Sequence, residues 1–124
     1  MIVVDSSGWL EYFAGTVNRF NYREAILDTE NLLVPVITLY EVYRKINHQI
    51  GSDKASQAIM AMQQGQVIEL TAGLTLFAAQ LSSEHRLPLA DSLIYATAQA
   101  YEAELFTQDA HFEGLRGVKY FSKV

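Results

Sequence analysis

A chain of 124 residues can bury one substantial core and falls short of two ordinary domains, so residues 1–124 are expected to form a single domain. Half of the residues are apolar, 19% are charged and cysteine is absent, which excludes a disordered chain, a disulfide scaffold, zinc-thiolate or iron–sulfur ligation and a thiol nucleophile. The formal charge of −5 argues against gripping nucleic acid by bulk attraction, so any nucleic-acid role has to be local.

In chain order, IVVD (2–5) is a β-branched run ending in an acid and predicts a buried strand with Asp5 at its carboxyl end. SSGWLEYFAG follows as a helix, with Trp9, Leu10, Tyr12 and Phe13 at helical spacing toward the core, a serine able to cap and Gly15 closing it. YREAILD (22–28) reads as a short amphipathic helix, and LLVPV (32–36) as a second strand that Pro35 keeps short or at an edge. TLYEVYRKINHQIG (38–51) and SDKASQAIMAMQQG (52–65) are helices ending in glycine, and QVIEL (66–70) is a third strand. LTLFAAQLSSEHR (74–86) stops before Pro88, and LADSLIYATAQAYEAE (89–104) is an apolar helix. LFTQD (105–109) and VKYF (118–121) are the last strands, joined by a turn. Strands alternating with helices imply crossover connections and a parallel sheet, an α/β fold. No apolar run approaches the ~20 residues that span a bilayer and no charged-then-apolar leader opens the chain, so the expectation is a cytoplasmic protein without membrane association.

Four acids mark equivalent places in this pattern. Asp5 and Asp109 end strands, while Glu41 and Asp91 fall in the first turns of helices that follow a strand or a proline. In an open parallel sheet such positions converge on the carboxyl edge, where ligands bind. Carboxylates packed ~5 Å apart repel by roughly 3 kcal/mol per pair at an effective dielectric near 20, and no run of Lys or Arg lies nearby. A divalent cation is the natural counter-charge, and all-oxygen ligation suits Mg²⁺ or Mn²⁺ and hydrolytic phosphoryl chemistry. Each acid taken singly also has an ordinary explanation. Thr38 to Glu41 fits a capping box, Asp91 complements a helix dipole, and Asp5 and Asp109 are turn formers. Glu69, inside VIEL, fits neither group.

In this order, VVDSSGWLEYF, VITLYEVYRKI, LPLADSLIYATA and LFTQDAHFEGL resemble the four signature segments of PIN-domain ribonucleases, and most closely the VapC-type toxins of bacterial toxin–antitoxin pairs. The resemblance runs from residue 2 to about 115 and lies in the ordered set, with an acid in each segment. It implies a PIN-like three-layer α/β/α sandwich with a short central parallel sheet flanked by helices. It also implies that Asp5, Glu41, Asp91 and Asp109 are the catalytic acids holding Mg²⁺ or Mn²⁺, with Ser6 and Thr107 as supporting hydroxyls. By the same likeness the chain is a metal-dependent endoribonuclease that hydrolyses RNA, forms a homodimer and is silenced by a small antitoxin. Tyr95 and Gln108 depart from the family pattern, in which a small and a basic residue are common. Ser6 as a helix cap and Thr107 as an ordinary strand residue remain open readings.

Arg44, Lys45 and Arg86 are the cations nearest the motifs, and hence the candidate phosphate contacts, although each also reads as a solvated helix charge. His48, His85 and His111 form no HxxxH or HxH pair and read as surface or packing residues. The competing functions are a non-catalytic interaction module on the same fold and a metal-dependent phosphatase acting on a small phosphoester.

Overall fold

The computed structural model describes residues 1–124. Five short strands form one parallel sheet: β1 (Ile2–Val4), β2 (Leu32–Pro35), β3 (Gln66–Ile68), β4 (Glu104–Thr107) and β5 (Val118–Tyr120), in the spatial order 3-2-1-4-5. The chain therefore builds outward from β1 in one direction, then returns to its other side for β4 and β5. That reversal puts the topological switch point between β1 and β4.

Successive strand residues point to opposite faces. Val3, Leu33 and Leu105 pack under α5 (Ala72–His85) and α6 (Leu89–Ala100), where Leu81, Leu93, Ile94 and Ala98 cover them. Val4, Leu32 and Val34 pack on the other face beneath α1 (Ser6–Ala14), α2 (Arg23–Leu27), α3 (Val36–Gln49) and α4 (Ser52–Met62), with Trp9, Tyr22, Val42 and Met62 fully buried. The fold is thus the expected α/β/α sandwich. No helix is long and apolar enough to cross a membrane.

Three element readings change in detail. β2 is short, at four residues, and interior rather than at an edge. Pro35, in register with Ile68 of β3, is tolerated there because it is the last strand residue, beyond the ladder that pairs Leu32 and Leu33 with β1, and it serves as the N-cap of α3. α3 begins at Val36, two residues before the expected start, so Glu41 lies in its second turn and Thr38 inside the helix, its hydroxyl donating to the Pro35 carbonyl. The last apolar helix stops at Ala100 and not at 104. Glu102 takes a left-handed conformation (φ 53°) that turns the chain, and the Glu104 amide then bonds to the Met1 carbonyl as β4 begins. Glu69 is exposed just past the end of the edge strand β3.

Candidate active site

Asp5 follows β1 and is the N-cap of α1, a buried residue with an exposure of 3%. Three hydrogen bonds converge on its Oδ2: from the Ser7 amide at 3.3 Å, the Ser7 hydroxyl at 2.7 Å and the Thr107 hydroxyl at 3.0 Å. All of them leave Oδ1 open. Thr107, fully buried at the end of β4, also accepts from the Asp109 amide at 2.9 Å, so one hydroxyl ties the ends of the two strands flanking the switch point. Its role is thus more than that of a strand residue. Asp109 caps a one-turn 3-10 helix, accepting the His111 amide at 3.0 Å, and buried Phe112 anchors that turn against the core.

Asp91 stands in the first turn of α6, entered through Pro88. Its Oδ2 lies 2.8 Å from His111 Nδ1, which is also 3.2 Å from Asp109 Oδ1. Donor atoms of Asp91, Asp109 and His111 all lie within 4.8 Å of one another. Burial first, then the charge of Asp109, raises the Asp91 carboxyl to about 7, while the His111 hydrogen bond opposes the shift. Burial likewise raises Asp5 to about 6, against the lowering effect of the Ser7 and Thr107 hydrogen bonds. The His111 imidazole is raised in turn, chiefly by its bond to Asp91 and the charge of Asp109. No Lys or Arg pairs with any of these three acids. The donor set fits a divalent cation: hard carboxylate oxygens, one of them open on Asp5, and a short supply of positive charge.

Glu41 reaches the same sheet edge from α3 but stands outside that tight group. The Ser6 hydroxyl donates to its Oε1 at 2.6 Å, tying α3 to the first turn of α1. Ser6 is accordingly not the helix cap, because Asp5 holds that position, and Glu41 closes no capping box.

Sequence reasoning missed Ser7 and His111. The pattern Asp-Ser-Ser offered a signal for the first, since a helix-capping aspartate accepts from the residue two ahead. The Asp-x-His spacing of residues 109–111 offered one for the second, which a search confined to histidine pairs passes over. Gln108 lies beside the site: its side chain donates to Glu11 Oε1 at 3.0 Å and accepts from the Tyr22 hydroxyl at 3.2 Å. Burial and the charges of Asp5 and Glu11 push the Tyr22 phenol upward. Tyr95 is buried under α5, its hydroxyl donating to the Arg116 carbonyl at 2.7 Å, so this departure from the family pattern lies in the core. Lys45 lines a cavity that opens beside Ser7 and Gln108, Arg44 faces a neighbouring groove with Tyr40 and Tyr43, and Arg86 is the exposed C-cap of α5.

Comparison with solved structures supports the same architecture. A toxin–antitoxin complex from Klebsiella pneumoniae superposes with a TM-score of 0.81 at 24% identity, over 96% of each chain. VapC20 of Mycobacterium tuberculosis, described as a toxin that cleaves the sarcin–ricin loop, gives 0.80 at 18% identity over 95% of this chain and 97% of its own. VapBC2 from Rickettsia felis, solved bound to a DNA fragment from its promoter, gives 0.75 at 16% identity over 98% of both chains. No curated protein sequence matches. The family profile described as PIN domain matches residues 2–118, and with nearly the whole chain so covered, this protein belongs to the PIN domain family.

Proposed function

We propose that the protein is a Mg²⁺- or Mn²⁺-dependent endoribonuclease, the toxin of a VapC-type toxin–antitoxin pair, acting in the cytoplasm. The observation that carries this reading is the meeting of Asp5, Asp91 and Asp109 at the switch point of the sheet, two of them with carboxyls raised by burial and mutual repulsion and His111 their only nearby cation. The likeness to a toxin–antitoxin complex and to an RNA-loop-cleaving toxin supports it. A small antitoxin as partner and a homodimeric assembly belong to the same reading.

Asp5, Asp91 and Asp109 would hold the ion, with Glu41 completing the acidic edge. When bound, the ion supplies charge neutralisation and activation of water for in-line attack on phosphorus. The protein's own contribution is orientation and proton traffic. Ser7 and Thr107 fix one oxygen of Asp5 so that the other faces the crevice, and Ser6 holds Glu41 against α1. His111 Nδ1, with a raised affinity for a proton and a side chain 56% exposed, can take up or release a proton at the rim. Asp109 and His111 stand at an open surface, which suits a polymer better than a small phosphoester.

Purified protein incubated with structured RNA and Mn²⁺ is expected to cut it, and Asp91→Asn to abolish cutting while the circular dichroism spectrum stays native. Near-normal cutting by that variant would overturn the assignment. Wild-type protein that leaves RNA intact yet hydrolyses nucleotides would make it a phosphatase, and one that does neither would make it an interaction module.

A further inference from the structure

A cavity of about 680 Å³ runs between α1 and the α3–α4 pair, within the size range of small-ligand sites. Leu10, Ile46 and Ile50 give it apolar walls, and its charge is unlike that of the rest of this acidic chain. Lys45, Lys54 and Lys123, three of the chain's four lysines, line it. The one carboxylate among its lining residues, Glu11, is already engaged by Gln108, Thr16 and Asn18, with Lys123 at 3.7 Å. The side-chain amides of Gln49 and Gln57 open onto the same space, and Phe13 contributes an aromatic wall held by its stacking on Trp9, 5.7 Å between centroids and 18° between planes.

The cavity is continuous with the acidic edge. Ser7 and Gln108 belong to its lining, and each also bonds into the site: the Ser7 hydroxyl to Asp5, and the Gln108 amide to that same hydroxyl at 3.4 Å. Positive side chains for phosphates, amides for base edges and an aromatic wall for a base face are what a single strand requires. A strand leaving the acids past Ser7 and Gln108 enters this groove directly. We infer that the groove bounded by Lys45, Lys54 and Lys123 is the track for single-stranded RNA flanking the cut phosphodiester, an inference that rests on the ribonuclease reading above and names where its substrate lies.

The test measures binding of a short fluorescein-labelled single-stranded RNA by anisotropy in EDTA, across a series of salt concentrations, beside cleavage of the same RNA in Mn²⁺. Lys54 is exposed on α4, so its replacement leaves the core intact. Lys54→Ala should weaken binding several-fold and lower the slope of log affinity against log salt by about 0.7, the loss of one single-strand phosphate contact. Lys54→Glu should weaken it further. Arg116→Ala, just before β5 and so at the amino ends of the strands, whereas Ser7, Gln108 and Lys123 lie at their carboxyl ends, should change neither. Unaltered affinity and slope in both Lys54 variants overturn the proposal and leave the groove to a protein partner. Failure of the wild-type protein to cut RNA in Mn²⁺ would instead strike the ribonuclease reading, which the binding measurement in EDTA does not depend on.

Discussion

Asp5 and Asp91 hold their protons more tightly than a carboxyl in water does, and this has a thermodynamic sign. In the unfolded chain both titrate near 3.8, whereas in the folded protein they titrate at about 6 and about 7. Between those values the unfolded state releases protons that the folded state retains, so stability that is fully present below about pH 4 is lost as pH rises through 6 to 7. His111, also raised, acts in the same direction: its contribution is present below about 6.5 and lost above its folded value. For buried Asp5 alone the effect is on the order of 3 kcal/mol. The metal-free protein should therefore melt several degrees lower at about pH 8 than at about pH 5, as read by differential scanning fluorimetry. Asp91→Asn, which cannot ionise, should flatten that dependence. A wild-type melting temperature that stays level or rises across this range would contradict the burial and crowding of these carboxyls.

At the scale of an element, α1 carries both the packing and the chemistry. Its N-cap is Asp5, its first two residues orient Glu41 and Asp5, and its third, Gly8, lets the helix approach the sheet closely. A Cβ at Gly8 would fall 2.6 Å from the Tyr22 ring and 2.8 Å from Val4, well inside contact distance. Alanine ordinarily gains up to about 1 kcal/mol over glycine in a helix, while overpacking a core costs about 1–3 kcal/mol, and the second should win here. Gly8→Ala is thus expected to lower the urea midpoint of unfolding, and a raised midpoint would mean that Tyr22 yields freely. The helix closes as its sequence indicates, Gly15 taking the left-handed conformation at φ 70°. Less legible was the stretch 16–31, where α2 has only five residues between two 3-10 turns. Short turns of that kind are fixed by tertiary packing of Tyr22, Ala25 and Ile26, because their own periodicity is too brief to read.

For the whole molecule, the strand order does what no local pattern can. β1 and β4 are far apart in sequence, yet their parallel pairing, Val4 opposite Phe106, carries Asp5 and Asp109 past the same sheet edge, and α6 starts there with Asp91. An ion that binds only this assembled set stabilises the folded state by about 2.7 kcal/mol at a hundredfold excess over its dissociation constant. Mn²⁺ should accordingly raise the melting temperature, more at about pH 8 than at about pH 5, where protons compete for Asp5 and Asp91. Calorimetric titration of wild type beside Asp5→Asn and Asp109→Asn provides the second measurement, and equal Mn²⁺ binding by all three would remove the metal centre from this edge.

The alternation of strands and helices, the buried faces of IVV and LLV, the helix signals at Gly15 and Pro88 and the placing of Asp5, Asp91 and Asp109 at element ends were legible in the chain alone, because hydrophobic period and capping chemistry are local properties. Tertiary structure decided the rest. It set Glu41 apart from the close group of Asp91, Asp109 and His111, brought in His111 and Ser7, moved Tyr95 into the core and gathered three lysines along one groove. Distances between side chains on different elements follow from crossover topology and from how closely helices settle on the sheet, and neither quantity is written in the spacing of residues along the chain.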